Sequence, residues 1–305
     1  IAGEKPENER FPGAVETWSI EAMMQDGKAL QAGTSHYLGT NFSRASGISF
    51  QNREGTETLA HTTSWGVSTR MIGGMIMAHG DDDGLRVPPR LAPWQVVILP
   101  MLRDNDEDAA LIDYCEGLRA TLAGQQVLGE KLRVLLDTKP GKAAAKRWDW
   151  VRKGAPVIVE VGGRDMQNGV VSMLRRDRLW DENSGKPAFE TPTRESAGQT
   201  IPEILADMQA ALLTEARDQR EANITRGVAS YDAVEKHFNS GAKYPGWVEV
   251  QWSKPTGAAL DQVVERLKAL KLTIRNVPTD GAPVDGACIF TGEPAVERIL
   301  LARAY

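Results

Sequence analysis

The 305-residue sequence has only two cysteines, Cys115 and Cys288. That excludes a disulfide framework and makes a reducing cytoplasm the expected compartment. No apolar run is long enough to cross a bilayer and no signal-peptide pattern opens the chain, so no membrane partner is expected. Basic charge is not in excess either. Against 36 Lys and Arg stand 41 Asp and Glu, and the net charge of −5 argues against a globally basic nucleic-acid binder. Internal repeats and low-complexity tracts are absent. The first residue is Ile1 and not Met, so the chain is read as a processed, truncated or partly ordered piece of a longer one.

What is present is an ordinary globular composition, 41% hydrophobic and 25% charged, with room for two or three domains. Three segments emerge. Residues 1–90 are rich in Gly, Thr, Ser and Met. There "ETWSIEAMM" alternates as a strand would, and "HGDDDGLRVPPRLAP" marks a boundary by its Gly and Pro. Residues 91–199 alternate strand and helix as a small α/β domain: "WQVVILPM", a helix with Ile112, Cys115, Leu118 and Leu122 on one face, "LRVLLD", "AAAKRWDWVRKG" ended by Gly154, "PVIVEVG" and "GVVSML". Residues 200–305 open on a capping box, Thr200 with Glu203, whose helix carries Ile201, Leu205, Met208 and Leu212. A short helix near Tyr231–Phe238, a strand "WVEVQWS", a helix "ALDQVVERLKAL" and strands through "ACIFTG" and "RILLARAY" complete a smaller α+β unit.

Charge is uneven along the chain. From Lys139 to Arg178 ten basic side chains face four acidic ones, a surplus of +6. Such a stretch suits either a local polyanion partner or a solvated mixed-charge face. Two other stretches carry candidate chemistry. In "KALQAGTSHYLGTNF" small residues leave room while Gln31, Thr34 and His36 supply directed hydrogen bonds, which reads as a polar pocket wall. In "TTSWGVSTRMIGGMIMAHGDD" the residues Thr62, Ser64, Gly66 and Ser68 share one strand face, and the period then turns helical at Met71, Ile72, Met75 and Ile76. Arg70 falls in the first turn of that helix. A cation there opposes the helix dipole by a few tenths to about 1 kcal/mol, whereas a bound phosphate reverses the sign. Pairing with a nearby carboxylate is the competing explanation.

Together, "AMMQDGKALQAGTSHYLGTNF" and "TTSWGVSTRMIGGMIMAHGDDDGLRVPPRLAPWQVVILP" closely resemble the prolyl-tRNA synthetases, in particular their archaeal- and eukaryote-like type. The Arg70 segment matches motif 3 of class II aminoacyl-tRNA synthetases, and the likeness runs through "GAPVIVEVG" to Tyr305. The resemblance implies the end of an antiparallel-sheet catalytic domain over 1–90, an α/β anticodon-binding domain over 91–199 and a small α+β domain over 200–305. It implies ATP with Mg2+ as cosubstrate, L-proline and tRNA(Pro) as substrates, a homodimer formed through a missing amino-terminal part, and a cytoplasmic location. Gln31, Thr34, Ser68 and Arg70 take the place of ATP contacts, Arg70 as the catalytic cation, and His36 that of a proline-pocket residue. Strand parity sets Gln31 on the face opposite Thr34 and His36, so an irregular backbone near Gly33 is expected. Arg164 and Asp165 stand where the family reads anticodon guanines, with Lys153 as a further candidate and Val151 in place of an acidic residue.

Two departures shape the expectation. Neither motif 1 nor motif 2 is found in residues 1–305, so the chain is read as the carboxy-terminal portion of the enzyme. Relatives of this type often hold zinc on four cysteines in the last domain, whereas "ACIFTGEP" keeps Cys288 alone, with Thr291 where another would fall. No zinc or other metal site is expected. The alternative to an enzyme is a non-catalytic tRNA- or protein-binding module derived from a class II synthetase.

Overall fold

A computed structural model describes residues 1–305, and the chain divides into two compact units, Ile1–Ala78 with Asp218–Tyr305, and His79–Arg217. No helix is long and apolar enough to cross a membrane.

In the first unit a five-stranded antiparallel sheet runs in the order Val277–Pro278, Ala2–Glu4, Glu16–Met23, Ala29–Gly39, Thr62–Gly66. Gly3 lies opposite Pro278, so residues from the two ends of the chain share one sheet. The Glu16–Met23 strand keeps the alternation that its sequence shows, with an unexpected side turned in. Thr17, Ser19 and Glu21 are buried, at 2%, 2% and 0% exposure, while Trp18 and Ile20 stand exposed. The reason is a buried ion cluster. Lys5 Nζ lies 3.1 Å from Glu21 Oε1, and Arg275 grips Oε2 through Nε and a terminal nitrogen at 3.1 and 2.8 Å. A carboxylate between two cations recovers by pairing what burial takes from it.

The same unit holds a second sheet, ordered Ile224–Val228, Trp247–Trp252, Glu297–Ala302, Thr273–Ile274, flanked by the helices Tyr231–Phe238 and Gly257–Ala269. Val234, Val248, Val250, Trp252, Val263, Leu267 and Ile299 form its core. "ACIFTG" is a turn and not a strand. Gly292 N–H donates to Cys288 O, and a single bridge joins Ala287 to Pro294.

The second unit is a mixed sheet in the order Val134–Leu136, Val96–Pro100, Val157–Val161, Ser172–Arg175, Phe189–Glu190, of which the first three strands are parallel. Helix Asp108–Ala123 packs on one face through Leu111, Cys115, Leu118 and Leu122, so Leu111 and not Ile112 completes the buried stripe. Burial pushes the Cys115 thiol up to about 12, which makes it a core residue without reactivity. Helix Ala143–Lys153 covers the other face and ends, as its sequence implies, at Gly154 in the left-handed conformation (φ 79°).

The long helix starts earlier than its sequence suggests. It spans Arg194–Ala222, Thr193 Oγ1 receives Ser196 N–H as its cap, and Thr200 lies inside, donating to Ser196 O. The expected Thr200–Glu203 capping box does not form. Ile201, Leu205, Met208 and Leu212 are buried, but in the core under Val96 and Ile98. Pro202 would suit a first turn, where proline is favoured. It sits within the helix because another group replaces the N–H that it lacks: Gln125 Nε2 donates to Gly198 O at 2.6 Å, the carbonyl that residue 202 would otherwise have served.

Candidate functional site

A β-bulge decides what the Ala29–Gly39 strand presents. Ile20 pairs with Gly33 but Glu21 with Gln31, so Ala32 is the extra residue. The bulge shifts the pleat by one and turns Gln31 to the face of Thr34 and His36. All three then share the side of Thr17, Ser19 and Glu21, whose direct cross-strand partners they are. The next strand adds Ser64 opposite His36 and Gly66 opposite Thr34. A side chain at 66 would sit 3.1 Å from Thr34 Oγ1, so glycine there keeps the space above Thr34 open.

His36, 9% exposed, is held by Thr17 Oγ1 at 3.0 Å from Nδ1 and by the Phe11 ring, with 4.9 Å between centroids. Thr17 Oγ1 already accepts the Phe11 N–H at 3.2 Å. The same hydroxyl also pairs with Nδ1, which fixes the ring's orientation and leaves Nε2 for a second partner. Past the strand, Ser68 Oγ accepts the backbone N–H of Arg70, the first residue of the helix Arg70–His79. Arg70 is exposed and makes no ion pair, so no carboxylate offsets its opposition to the helix dipole.

In the second unit the basic stretch proves to be mostly paired. Lys146 meets Asp137, Arg147 meets Glu160, Arg152 meets Asp149, Arg176 meets Asp81, and Arg175 and Arg178 both reach Asp207. The surplus read from sequence is therefore largely a mixed-charge face. Arg164 stands apart from it, exposed and without an ion pair, in the short helix Gly163–Gln167. Asp165 does not bridge to it. Its carboxylate turns back to accept Gly162 N–H at 2.8 Å and caps that helix. Lys153 lies far from both. It precedes the Val157–Val161 strand, whereas Arg164 follows it, so about 16 Å of extended chain separates them. Its Nζ rests 4.6 Å from the centre of the Trp150 ring. Lys153 and Arg164 therefore flank opposite ends of that strand.

Comparison with known proteins gives this geometry its context. A family model described as an anticodon binding domain matches residues 95–185. The proline–tRNA ligase of Erythrobacter litoralis is 67% identical over 305 residues, all of this chain and 59% of that protein. Those of Novosphingobium aromaticivorans and Sphingomonas elodea are 64% and 61% identical, again over the whole chain and over 59% and 60% of their own length. Over its whole length the chain is similar to proline–tRNA ligases. It spans about 59% of the length of the curated relatives that it matches.

In the carboxy-terminal segment, the surroundings of Cys288 bear on the zinc expectation. The thiol is 2% exposed, and Ser253 Oγ and Thr291 Oγ1 lie 3.0 Å from each other beside it. Burial pushes this thiol up, and hydrogen bonds from Ser253, Thr291 and the backbone together outweigh it, leaving it below the ordinary value. One thiol and two hydroxyls are not a zinc donor set, which calls for four N, S or carboxylate ligands. Thr291 stands out in the sequence as the position of a missing cysteine, whereas Ser253, 38 residues away, does not.

Proposed function

We propose that this chain forms part of a proline–tRNA ligase that activates L-proline with MgATP and transfers the prolyl group to tRNA(Pro). The observation that carries the reading is the bulge at Ala32, which aligns Gln31, Thr34 and His36 on one face beside Ser64 and Gly66. In this reading the proline carboxylate oxygen attacks the α-phosphorus of ATP. The bond from that phosphorus to the bridging oxygen breaks, and pyrophosphate leaves. Such chemistry needs positioning and positive charge more than a base. Gln31, Thr34 and Ser68 orient the nucleotide, Arg70 neutralises its phosphates, and His36 offers a directed hydrogen-bonding group to the amino-acid pocket. Mg2+ enters as part of MgATP. The two prolyl-type runs support the archaeal- and eukaryote-like type. Division into catalytic (1–90), anticodon-binding (91–199) and carboxy-terminal (200–305) segments, and a cytoplasmic homodimer, belong to the same proposal.

In the intact native protein, ATP–pyrophosphate exchange is expected to depend on proline and not on threonine, histidine or glycine. Exchange driven by one of these instead would overturn the assignment.

The carboxy-terminal segment is proposed to fold without zinc. Its buried Trp247, Val248, Val250, Trp252, Val263, Leu267 and Ile274 each contribute about 1.5–3 kcal/mol, in place of the metal's contribution. Protein purified without added metal is expected to hold no stoichiometric zinc, and EDTA to leave its Tm unchanged. One tightly bound zinc per chain would show the reverse.

A further inference from the structure

The Ala29–Gly39 strand changes partners where its bulge lies. On one edge Ala29 N–H donates to Arg303 O at 2.8 Å and Ala29 O accepts Tyr305 N–H at 3.1 Å, so residues 303–305 hold its start. Farther along the same edge, Thr34 to Gly39 pair with Thr62–Gly66. Gln31 and Ala32 fall in the interval, with the Glu16–Met23 strand as their neighbour on the other side. Gln31 is half-buried and its side chain makes no hydrogen bond. Its direction therefore rests on the backbone, and the backbone there is paired with Glu21.

Glu21 is held twice. Lys5 Nζ, 3.1 Å from Oε1, already supplies the one positive charge that a buried carboxylate needs. Arg275 is a second cation, and two of its nitrogens close on Oε2, Nε at 3.1 Å and a terminal nitrogen at 2.8 Å. What it adds is direction more than neutrality, since a planar guanidinium fork fixes where its acceptor stands. The fork is itself fixed. Its other terminal nitrogen donates to Thr273 Oγ1 at 2.7 Å, and the Arg275 backbone N–H donates to Leu300 O at 2.7 Å. Arg275 lies where the chain passes between the two sheets of its unit. Thr273–Ile274 pairs with Glu297–Ala302, and Val277–Pro278 pairs with Ala2–Glu4.

We propose that Arg275 is a positioning residue for the nucleotide: by fixing Glu21 it sets the strand against which the bulge forms, and so aims Gln31. The carboxy-terminal segment, to which the proposed function assigns no contact with ATP or proline, then acts on the pocket through this arginine. The inference rests on reading Gln31 as a nucleotide contact. His36 lies past the bulge, held by Thr17 and paired with Ser64, and so stands outside the reach of Arg275.

The test uses the intact native protein and proline-dependent pyrophosphate exchange. KM for ATP and KM for proline are measured separately, at a temperature where circular dichroism shows each variant folded. Arg275→Met is expected to raise KM for ATP about three- to thirty-fold and to leave KM for proline unchanged. Loss of folded protein alone lowers the apparent kcat and moves neither KM. Arg275→Lys keeps the charge without the fork and should raise KM for ATP by less; it carries the test if Arg275→Met does not fold. Gln31→Ala should also raise KM for ATP, and adding it to either arginine variant should raise it little further, because the arginine acts through the glutamine. An unchanged KM for ATP in a folded arginine variant, an equal rise for proline, or effects that multiply in the double variant would overturn the positioning role while the reading of Gln31 stands. An unchanged KM for ATP in Gln31→Ala would instead remove Gln31 from the nucleotide site.

Discussion

Arg70→Ala, made in the intact native protein, is expected to lower proline-dependent pyrophosphate exchange by about a hundred- to a thousand-fold while leaving Tm unchanged or slightly raised. The two halves of this result come from one observation. Arg70 is exposed, begins its helix and makes no ion pair, so nothing in the fold depends on its charge. Removing a cation from a first turn relieves a few tenths to about 1 kcal/mol of unfavourable dipole interaction. At developing phosphate charge the same cation is worth roughly 2.7–4 kcal/mol, which is the rate loss expected. Exchange within a few-fold of wild type would show that Arg70 does not touch the nucleotide. A fall in Tm by several degrees would show that it has a structural partner.

The second large effect is on stability. Glu21→Gln is expected to cost about 3–5 kcal/mol, measured as a lowered urea midpoint at unchanged slope. The substitution keeps shape and leaves Lys5 and Arg275, 2% and 8% exposed, without a counter-charge. Its pH dependence follows from Lys5. Burial, the largest influence on that group, already holds it below the usual 10.5, and Glu21 opposes this. Without Glu21 the lysine loses a partner that raises it and falls further below 10.5, so in the interval below 10.5 the unfolded chain binds more protons than the folded one. Stability then rises with pH, and the deficit should narrow as pH climbs toward 10.5. Replacing Glu21, Lys5 and Arg275 together by apolar residues should cost less than Glu21→Gln alone, because no charge is stranded. A loss below about 1 kcal/mol for Glu21→Gln would contradict the buried-cluster account.

What could be read from sequence, and what could not, divides along the range of the interactions. Periodicity located the Val96–Pro100 and Val157–Val161 strands, the helix ending at Gly154 and the core of the Trp247–Trp252 sheet, since each depends on residues within a few positions. Alternation in "ETWSIEAMM" gave a strand, but not which side faces in. That is set by Arg275, 254 residues from Glu21. Parity demanded an irregularity near Gly33, and the pairing places it at Ala32. The Asp165 cap was not legible, because a capping aspartate and a base-reading aspartate look alike in sequence. Ser253 escaped notice as well, because only the fold brings it to Thr291.

The carbonyl of Gly198 sets an order on how this sequence can drift. Gln125 and Pro202 belong to different helices' neighbourhoods, and the bond from Gln125 to Gly198 spans 73 positions of chain. Should Pro202 change first, the new residue brings an N–H that can serve Gly198, and Gln125 becomes free to vary. Should Gln125 change first, to a residue that cannot donate, a backbone acceptor in a buried stretch of helix loses its partner, at a cost of about 1–3 kcal/mol. The second path crosses a valley and the first does not. Proline at 202 therefore acts as a ratchet: while it stays, it holds the glutamine in place.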